Sequence, residues 1–394
     1  VNWVDLLVIA LALAAGASGA RQGMVTAVPA FAGVLGGAVL GIRLAPLVVN
    51  QFSGPAARVA VAVGVVVLLV ALGETLGMSI GAAIKRGVNR TPLTGVDNAL
   101  GAVVHGLVVF VVAWLVALPL TSVVGLPGLA TSINDSRVLA TVNSLMPRQV
   151  QQLPADLRRL LNDSGFPAAV DPFARTPITD VGPPDTALRN SAVVNRVRPS
   201  VLKVRGRAPS CSRALEGSGF VVAPQRVMTN AHVVAGTDRT VVEAAGGELP
   251  ARVVYDDPEV DVAVLDVPGL TAPVLPFAGQ PAAGGASGVV LGYPLDGPYT
   301  ASPARVRQRI QLRGPDIYDA NTVTRDVYTV RATVRSGNSG GPLIDPQGNV
   351  LGVVFGAAVD DPETGFVLTE QQVAAATAAA PNASQGVSTG GCAG

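Results

Sequence analysis

The chain has 394 residues, of which 49% are hydrophobic and only 14% charged. That length suits two or three domains, and that composition is too apolar for a wholly water-soluble protein, so part of the chain must sit in lipid. Its 28 basic and 27 acidic residues leave a net charge of +1, which excludes both the positive field of a nucleic-acid binder and a polyacidic tail.

The apolar residues are concentrated at the front, in runs over 4–20, 24–49, 59–84 and 99–120. Each is close to the ~17–25 residues that a helix needs to cross a bilayer core. The first run carries Asp5 and no leading Lys or Arg, so it reads as a retained span and not as a cleaved signal peptide. Arg21 lies between the first two runs, and Lys85, Arg86 and Arg90 lie between the last two, against Arg58 alone in the middle connection. Positive charge marks the cytoplasmic side. The expected topology is therefore a multi-pass protein of the inner (cytoplasmic) membrane, with both ends and everything beyond residue 120 on the periplasmic, extracytoplasmic side.

Gly33, Gly36, Gly37 and Gly41 in the second run, and Gly64, Gly73, Gly77 and Gly81 in the third, are spaced to let helix backbones approach closely. Glu74, Asp97 and His105 are ionisable groups within or at the mouth of a span, where their cost makes each a candidate for a proton path or a coupling element. So few intramembrane charges favour a packed bundle over a transporter. The opening Asn2-Trp3-Val4-Asp5, the apolar run behind it and Arg21-Gln22-Gly23 resemble the colicin V production protein family, which implies a four-span anchor domain over residues 1–120.

Residues 121–192 read as a largely extended periplasmic linker, rich in Pro, Ser, Asp and Arg. Within it Leu153, Leu157, Leu160 and Leu161 have helical spacing and predict a short amphipathic helix that Pro154 would start. From Val193 the pattern changes to short Val-rich runs separated by Gly, Pro and Asp, the signature of an all-β sandwich or barrel.

Chemistry is concentrated in this last part, residues 193–394. Gly337-Asn338-Ser339-Gly340-Gly341-Pro342-Leu343 offers a serine on a tight turn, with the N–H groups of Gly337 and Ser339 placed for an oxyanion hole and with Gly340 and Gly341 leaving room for substrate. The chain has only two histidines, His105 and His232, and the first belongs to a membrane run, so His232 is the expected base. Asp261 opens the apolar stretch 261–265 and is the expected acid, with Asp256, Asp257 and Asp266 as nearby alternatives. The order His, Asp, Ser is that of chymotrypsin-like enzymes and not of α/β-hydrolases. The expected fold is an α-helical membrane bundle joined to an all-β chymotrypsin-like double β-barrel. No metal and no cofactor is called for. A scaffold or sensor whose protease-like domain only binds peptides is the alternative, and nothing in a binding role requires the complete His-Asp-Ser set.

The stretches Gly217-Ser218-Gly219-Phe220, Thr229-Asn230-Ala231-His232, Asp261-Val262-Ala263-Val264-Leu265 and Gly337-Asn338-Ser339-Gly340-Gly341 resemble the trypsin-like proteases of the bacterial HtrA group. Members of that group continue into a PDZ domain, for which the stretch after Ser339 is too short. The whole arrangement is similar to the family of mycobacterial acid-resistance membrane serine proteases. That likeness implies a periplasmic endopeptidase that processes envelope and cell-wall proteins under acid and oxidative stress. By analogy with trypsin-like enzymes, Thr333 would floor the primary specificity pocket and Val354, Phe355 and Gly356 would wall it. With no acidic floor, a hydrophobic or medium-sized side chain is expected there. Cys211 and Cys392, the only two cysteines, are expected to pair in an oxidising compartment and to tie the tail to the protease. The enzyme's own linker, held near it at high effective concentration, is a further expected substrate.

Overall fold

The computed structural model describes residues 2–49, 55–88, 94–120, 127–146, 169, 176–211, 213–358 and 360–393. The chain divides into two compact units, residues 1–163 with 172–175, and residues 164–171 with 176–394.

In the first unit, α1 (Trp3–Gln22), α2 (Met24–Val49), α3 (Pro55–Val88) and α4 (Thr94–Leu120) are each long and apolar enough to cross a membrane. Leucines such as Leu6, Leu13, Leu68, Leu72 and Leu107 face outward, as suits a lipid solvent. The helices pair mainly as α2 with α3 and α1 with α4. Small residues make the first pairing possible: a Cβ on Gly33 would stand 2.0 Å from the Gly73 carbonyl oxygen, and one on Gly77 would stand 2.1 Å from that of Pro29. Such close backbones replace the hydrophobic drive that lipid removes.

Asp97 and Lys85 in this unit have structural partners. Asp97 accepts a hydrogen bond from the Val25 N–H at 3.0 Å and lies 3.4 Å from Lys85 Nζ. Lys85 in turn donates to the Gln22 carbonyl at 2.6 Å. Together they fasten the α1–α2 turn, where Gly23 has φ +79°. His105 is buried, with Nδ1 3.1 Å from the Gly101 carbonyl oxygen.

Part of the expected extended linker is helical and belongs to this unit. The helices α5 (Pro127–Asn134) and α6 (Arg137–Leu145) lie against α1 and α4. Asn2 donates to the Ser132 carbonyl, and Trp3 Nε1 donates to Ser132 Oγ at 3.0 Å. Asp5 is fully buried and accepts from Ser136 Oγ at 2.5 Å and from the Val138 N–H at 3.1 Å. Trp114 Nε1 donates to Asn143 Oδ1 at 3.0 Å, while Ile133, Leu139 and Val142 join the bundle core. The two helices have eight and nine residues, too few turns for an apolar period to show in the sequence. The amphipathic helix expected near Leu153 lies outside the described residues.

The second unit holds two closed barrels. The first comprises β1 (Val201–Ala208), β2 (Arg213–Ala223), β3 (Arg226–Thr229), β4 (Arg239–Ala244), β5 (Gly247–Asp257) and β6 (Val262–Asp266), joined in the order β1-β2-β3-β6-β5-β4. The second comprises β7 (Ser287–Gly292), β8 (Thr300–Pro315), β9 (Thr322–Arg331), β10 (Pro342–Ile344), β11 (Val350–Ala357) and β12 (Thr364–Thr369), in the order β10-β11-β12-β9-β8-β7. Val and Leu residues on the inner faces, including Val204, Val227, Leu265, Val306, Val354 and Val367, are fully or almost fully buried.

Both ends of this unit are strapped down. Entering from the linker side, the chain is gripped by arginines of the second barrel: Arg307 donates to the Thr179 carbonyl, Arg331 to that of Val181 and Arg305 to that of Pro183, at 2.9–3.0 Å. Residues assigned to the linker by sequence are thus part of the protease unit. Two further helices, α7 (Ala192–Val197) and the single turn α8 (Ala231–Val234), flank the first barrel strands, and α9 (Ala374–Ala379) follows the second barrel. The tail then returns to the first barrel, where the Val387 N–H donates to Val253 and the Gly236 N–H donates to Thr389.

Removing the Asp5 carboxylate leaves the Ser136 hydroxyl and the Val138 N–H buried without an acceptor, a loss of about 1–3 kcal/mol. Asp5→Ala is expected to lower the unfolding free energy of the membrane unit in detergent by about 2 kcal/mol, measured by denaturant titration, and Asp5→Asn is expected to recover part of it.

Candidate active site

His232 lies in α8, directly after β3, flanked by the buried Ala231, Val233 and Val234. Asp261 sits in the loop between β5 and β6 at φ +70°, a left-handed conformation that Asp tolerates better than most residues. It is completely buried, and its carboxylate accepts from the His232 backbone N–H at 3.0 Å and from His232 Nδ1 at 2.8 and 3.0 Å. Its own backbone is held from both sides: its N–H donates to Asp257, and its carbonyl accepts from Asn230 Nδ2 at 2.7 Å. An acceptor-only carboxylate at Nδ1 requires the proton there. His232 Nε2 is left with its lone pair, buried and with no hydrogen-bond partner among the described residues.

The alternative carboxylates do other work. Asp257 Oδ1 accepts the N–H groups of Glu259 and Val260. Asp266 pairs with Arg226 and Arg252. Asp256 Oδ1 has no hydrogen-bond partner among the described residues, and burial, reinforced by the charges of Asp261 and Asp257, pushes its carboxyl up to about 7.

Ser339 comes from the second barrel. Asn338 N–H donates to the Arg335 carbonyl at 2.9 Å, closing a turn whose third residue is Gly337 at φ +88°, the position at which a type II turn demands a positive φ. The following glycines tie this turn to β11, with Gly340 N–H donating to Val354 at 2.8 Å and Val354 N–H donating to Gly341 at 2.9 Å. Ser339 Oγ is buried and, like His232 Nε2, has no partner. Among the described residues the N–H groups of Gly337 and Ser339 donate to no backbone acceptor. The site therefore presents an unengaged hydroxyl, an unengaged imidazole nitrogen and two unengaged N–H groups.

A residue that sequence reasoning passed over holds the turn. Ser218, on β2 and fully buried, donates through Oγ to the Gly337 carbonyl at 2.6 Å and accepts the Tyr293 N–H at 2.9 Å. Its backbone N–H also donates to the Ser339 carbonyl at 2.7 Å. The neighbouring loop carries Leu295 and Asp296 at φ +56° and +54°. It is fixed by Leu295 N–H donating to Ser336 and by Lys203 and Arg205 of β1 pairing with Asp296 at 2.8 and 2.9 Å. Hydrogen bonds from Lys203 and then Arg205 hold the Asp296 carboxyl below its ordinary range.

Of the residues expected to shape specificity, Val354 and Phe355 are buried on β11. The Phe355 ring packs near Phe366 at 6.2 Å and under the Arg325 guanidinium at 5.7 Å. Gly356 stands at a register shift against β12, where a Cβ would lie 3.4 Å from that of Ala169. Thr333 is exposed and so is not enclosed as a pocket floor would be. Cys392 is disulfide-bonded, while the Cys211 side chain lies outside the described residues.

Paired closed barrels, with a buried His–Asp pair on one and a serine on a glycine turn of the other, define a trypsin-like serine protease. Comparison with known sequences agrees: the trypsin-like peptidase domain model matches residues 217–353, and the colicin V production protein model matches residues 4–147. The chain is 52% identical over 392 residues to serine protease Rv3671c of Mycobacterium tuberculosis H37Rv, covering 99% of this chain and 98% of that one. It belongs to that family of serine proteases. The crystal structure of the Rv3671c protease in its active form, 56% identical, aligns over 58% of this chain and 100% of its own with a TM-score of 0.55. A probable periplasmic DegP-like serine endoprotease of Chlamydia pneumoniae is 32% identical over 150 residues, covering 37% of this chain and 29% of that protein.

Ser218→Ala strands the Gly337 carbonyl and the Tyr293 N–H inside the protein. At about 1–3 kcal/mol this is expected to lower kcat by roughly 10- to 100-fold with little change in KM, as steady-state kinetics on a peptide substrate would show.

Proposed function

We propose that the chain is a membrane-anchored serine endopeptidase that acts on the extracytoplasmic side through Ser339, His232 and Asp261. The observation that carries this reading is the forked hydrogen bond that His232 Nδ1–H donates to both carboxylate oxygens of Asp261, which leaves Nε2 as the one basic atom in a buried site with a serine hydroxyl that has no partner among the described residues. Ser339 Oγ attacks the scissile carbonyl while Nε2 takes its proton. The oxyanion that forms is received by the N–H groups of Gly337 and Ser339. Collapse of this intermediate sends the proton from Nε2 to the leaving amine and leaves an acyl-enzyme on Ser339, which water then hydrolyses by the same route. Asp261 keeps the tautomer and stabilises the imidazolium without itself taking the proton.

Four spans with basic residues in the first and third connections support an extracytoplasmic protease unit in the inner membrane. Its substrates are then envelope or cell-wall proteins, and its service is to survival of acid and oxidative stress. Gly356 edges the primary pocket, which takes an uncharged side chain, and the linker is a substrate in its own right. Cys392 pairs with Cys211, the only other cysteine in the chain, and this bond holds the tail on the first barrel. Chain entropy puts its worth at no more than about 5 kcal/mol, so reduction is expected to lower both activity and melting temperature, read by a peptide assay and a thermal scan with and without reductant.

The central test is peptide hydrolysis by the full chain and its variants. Ser339→Ala is expected to abolish cleavage and to remove linker fragments from cells, and Asp261→Asn to lower kcat by about 10⁴-fold. Equal activity of wild type and Ser339→Ala would overturn the assignment.

A further inference from the structure

Asp256 has no part in that mechanism, yet its carboxyl feels the charge of Asp261. It sits near the end of β5, opposite Ala263 of β6, and its Oδ1 is buried without any hydrogen-bond partner. The carboxylates around it are supplied. Asp257 accepts two backbone N–H groups, of Glu259 and Val260, and Asp261 accepts from His232. Asp316, in the β8–β9 loop, accepts from the N–H groups of Tyr318, Ala320 and Asn321. The buried cation of the region, Arg325 on β9, spends its bonds on the carbonyls of Glu259 and Pro315. The Tyr318 hydroxyl donates to the Thr389 carbonyl at 3.2 Å and is itself pushed up by burial and by the charges of Asp256, Asp316 and Asp261.

A carboxylate with an unsupplied buried oxygen, next to a second carboxylate that must stay ionised to hold the imidazole, is the costliest charge in this cluster. The neutral acid avoids both penalties. Two ionised carboxylates beside His232 would favour the imidazolium, which cannot act as a base.

We propose that Asp256 is a proton store for the active site, a positioning residue that takes up a proton first on acidification and, acting through Asp261, leaves His232 neutral and competent as the medium turns acid. This rests on the assignment of His232 as base. The exchange has a cost: the ionised form helps stabilise the imidazolium of the transition state, so protonation lowers the rate modestly while deferring the final loss of activity. Stability carries the same signature. The carboxyl moves from its ordinary 3.8 up to about 7 on folding, so in that window the folded chain holds a proton that the unfolded chain has released. Its contribution is therefore full below 3.8 and is lost as pH rises to about 7.

The test compares the full-length protein in detergent with Asp256→Asn, and with Asp256→Ser should the first fail to fold, in kcat/KM and melting temperature from about pH 5 to about pH 8. Wild type is expected to lose rate in two steps on the acid side, a first of about threefold near neutrality and a second, complete one at lower pH. The Asn variant is expected to show only the second. It is also expected to melt higher than wild type at about pH 8, by a margin that narrows steadily as the pH is lowered toward about 5. A single wild-type step that moves to lower pH in the variant would mean that Asp256 is ionised throughout and would overturn the proposal, as would identical behaviour of both proteins. The melting comparison reads the proton on Asp256 even if Ser339→Ala proved active, so failure of the triad assignment and failure of the proton store give different results.

Discussion

The proposed active site depends on one serine other than Ser339, its proposed nucleophile. The reacting groups come from different barrels, and nothing within the second barrel alone can set the Ser339 turn against His232. Ser218 does so by spanning the boundary: its hydroxyl joins the Gly337 carbonyl to the Tyr293 N–H, and its backbone N–H takes the Ser339 carbonyl. Because the same β2 strand pairs with β3, which leads into α8, the strand that grips the nucleophile turn also bears on the base. The glycines on either side serve this contact. A Cβ at 217 would run into Val233 and one at 340 would lie 2.2 Å from the Ser218 carbonyl oxygen, so a larger residue at either position would push the barrels apart where they must touch.

In the membrane unit the problem is inverted, since lipid rewards no apolar contact over another. Its packing rests on backbone proximity at Gly33 and Gly73 and on a few polar bonds that have no competitor in hydrocarbon. Asn2, Trp3 and Asp5 use their polar atoms to dock α5 and α6, and Lys85 and Asp97 close the first turn. The short motifs at the start of the chain are thus fasteners of a bundle, and the ionisable groups that suggested a proton path are accounted for by structure at Asp97.

The two-barrel fold was legible in the spacing of the Val-rich runs, and the proposed His-Asp-Ser set could be chosen because each position left few choices. One histidine remained once His105 was placed in the membrane, and one serine sat in a glycine-rich turn. Asp261 could be favoured over Asp256, Asp257 and Asp266 only on its place before an apolar strand; what separates them physically is which carboxylate receives an imidazole, and that depends on the φ of +70° at Asp261, which no local pattern announces. Ser218 was hidden for a different reason: between Gly217 and Gly219 it reads as an ordinary strand residue, and its partners at 293 and 337 are distant in sequence. The hairpin of α5 and α6 escaped because its stability is lent by α1 and α4 and not by its own periodicity. Thr333 was placed by counting back from Ser339, and counting along a loop does not fix which way a side chain faces.

The straps at the two ends of the protease unit bear on how this protein is made. The segment near Thr179 is gripped by arginines that are 128 to 150 residues further along the chain, and the tail closes on strands completed long before it. Contacts so distant in sequence are slow to form, because loop-closure entropy must be met before any bond repays it. The first barrel can collapse as its strands emerge, but the nucleophile turn, the arginine grip and the tail all wait for the last third of the chain. A nascent protein therefore has no working site until the second barrel and the segment around Val387 and Thr389 have emerged and locked onto strands that were built earlier.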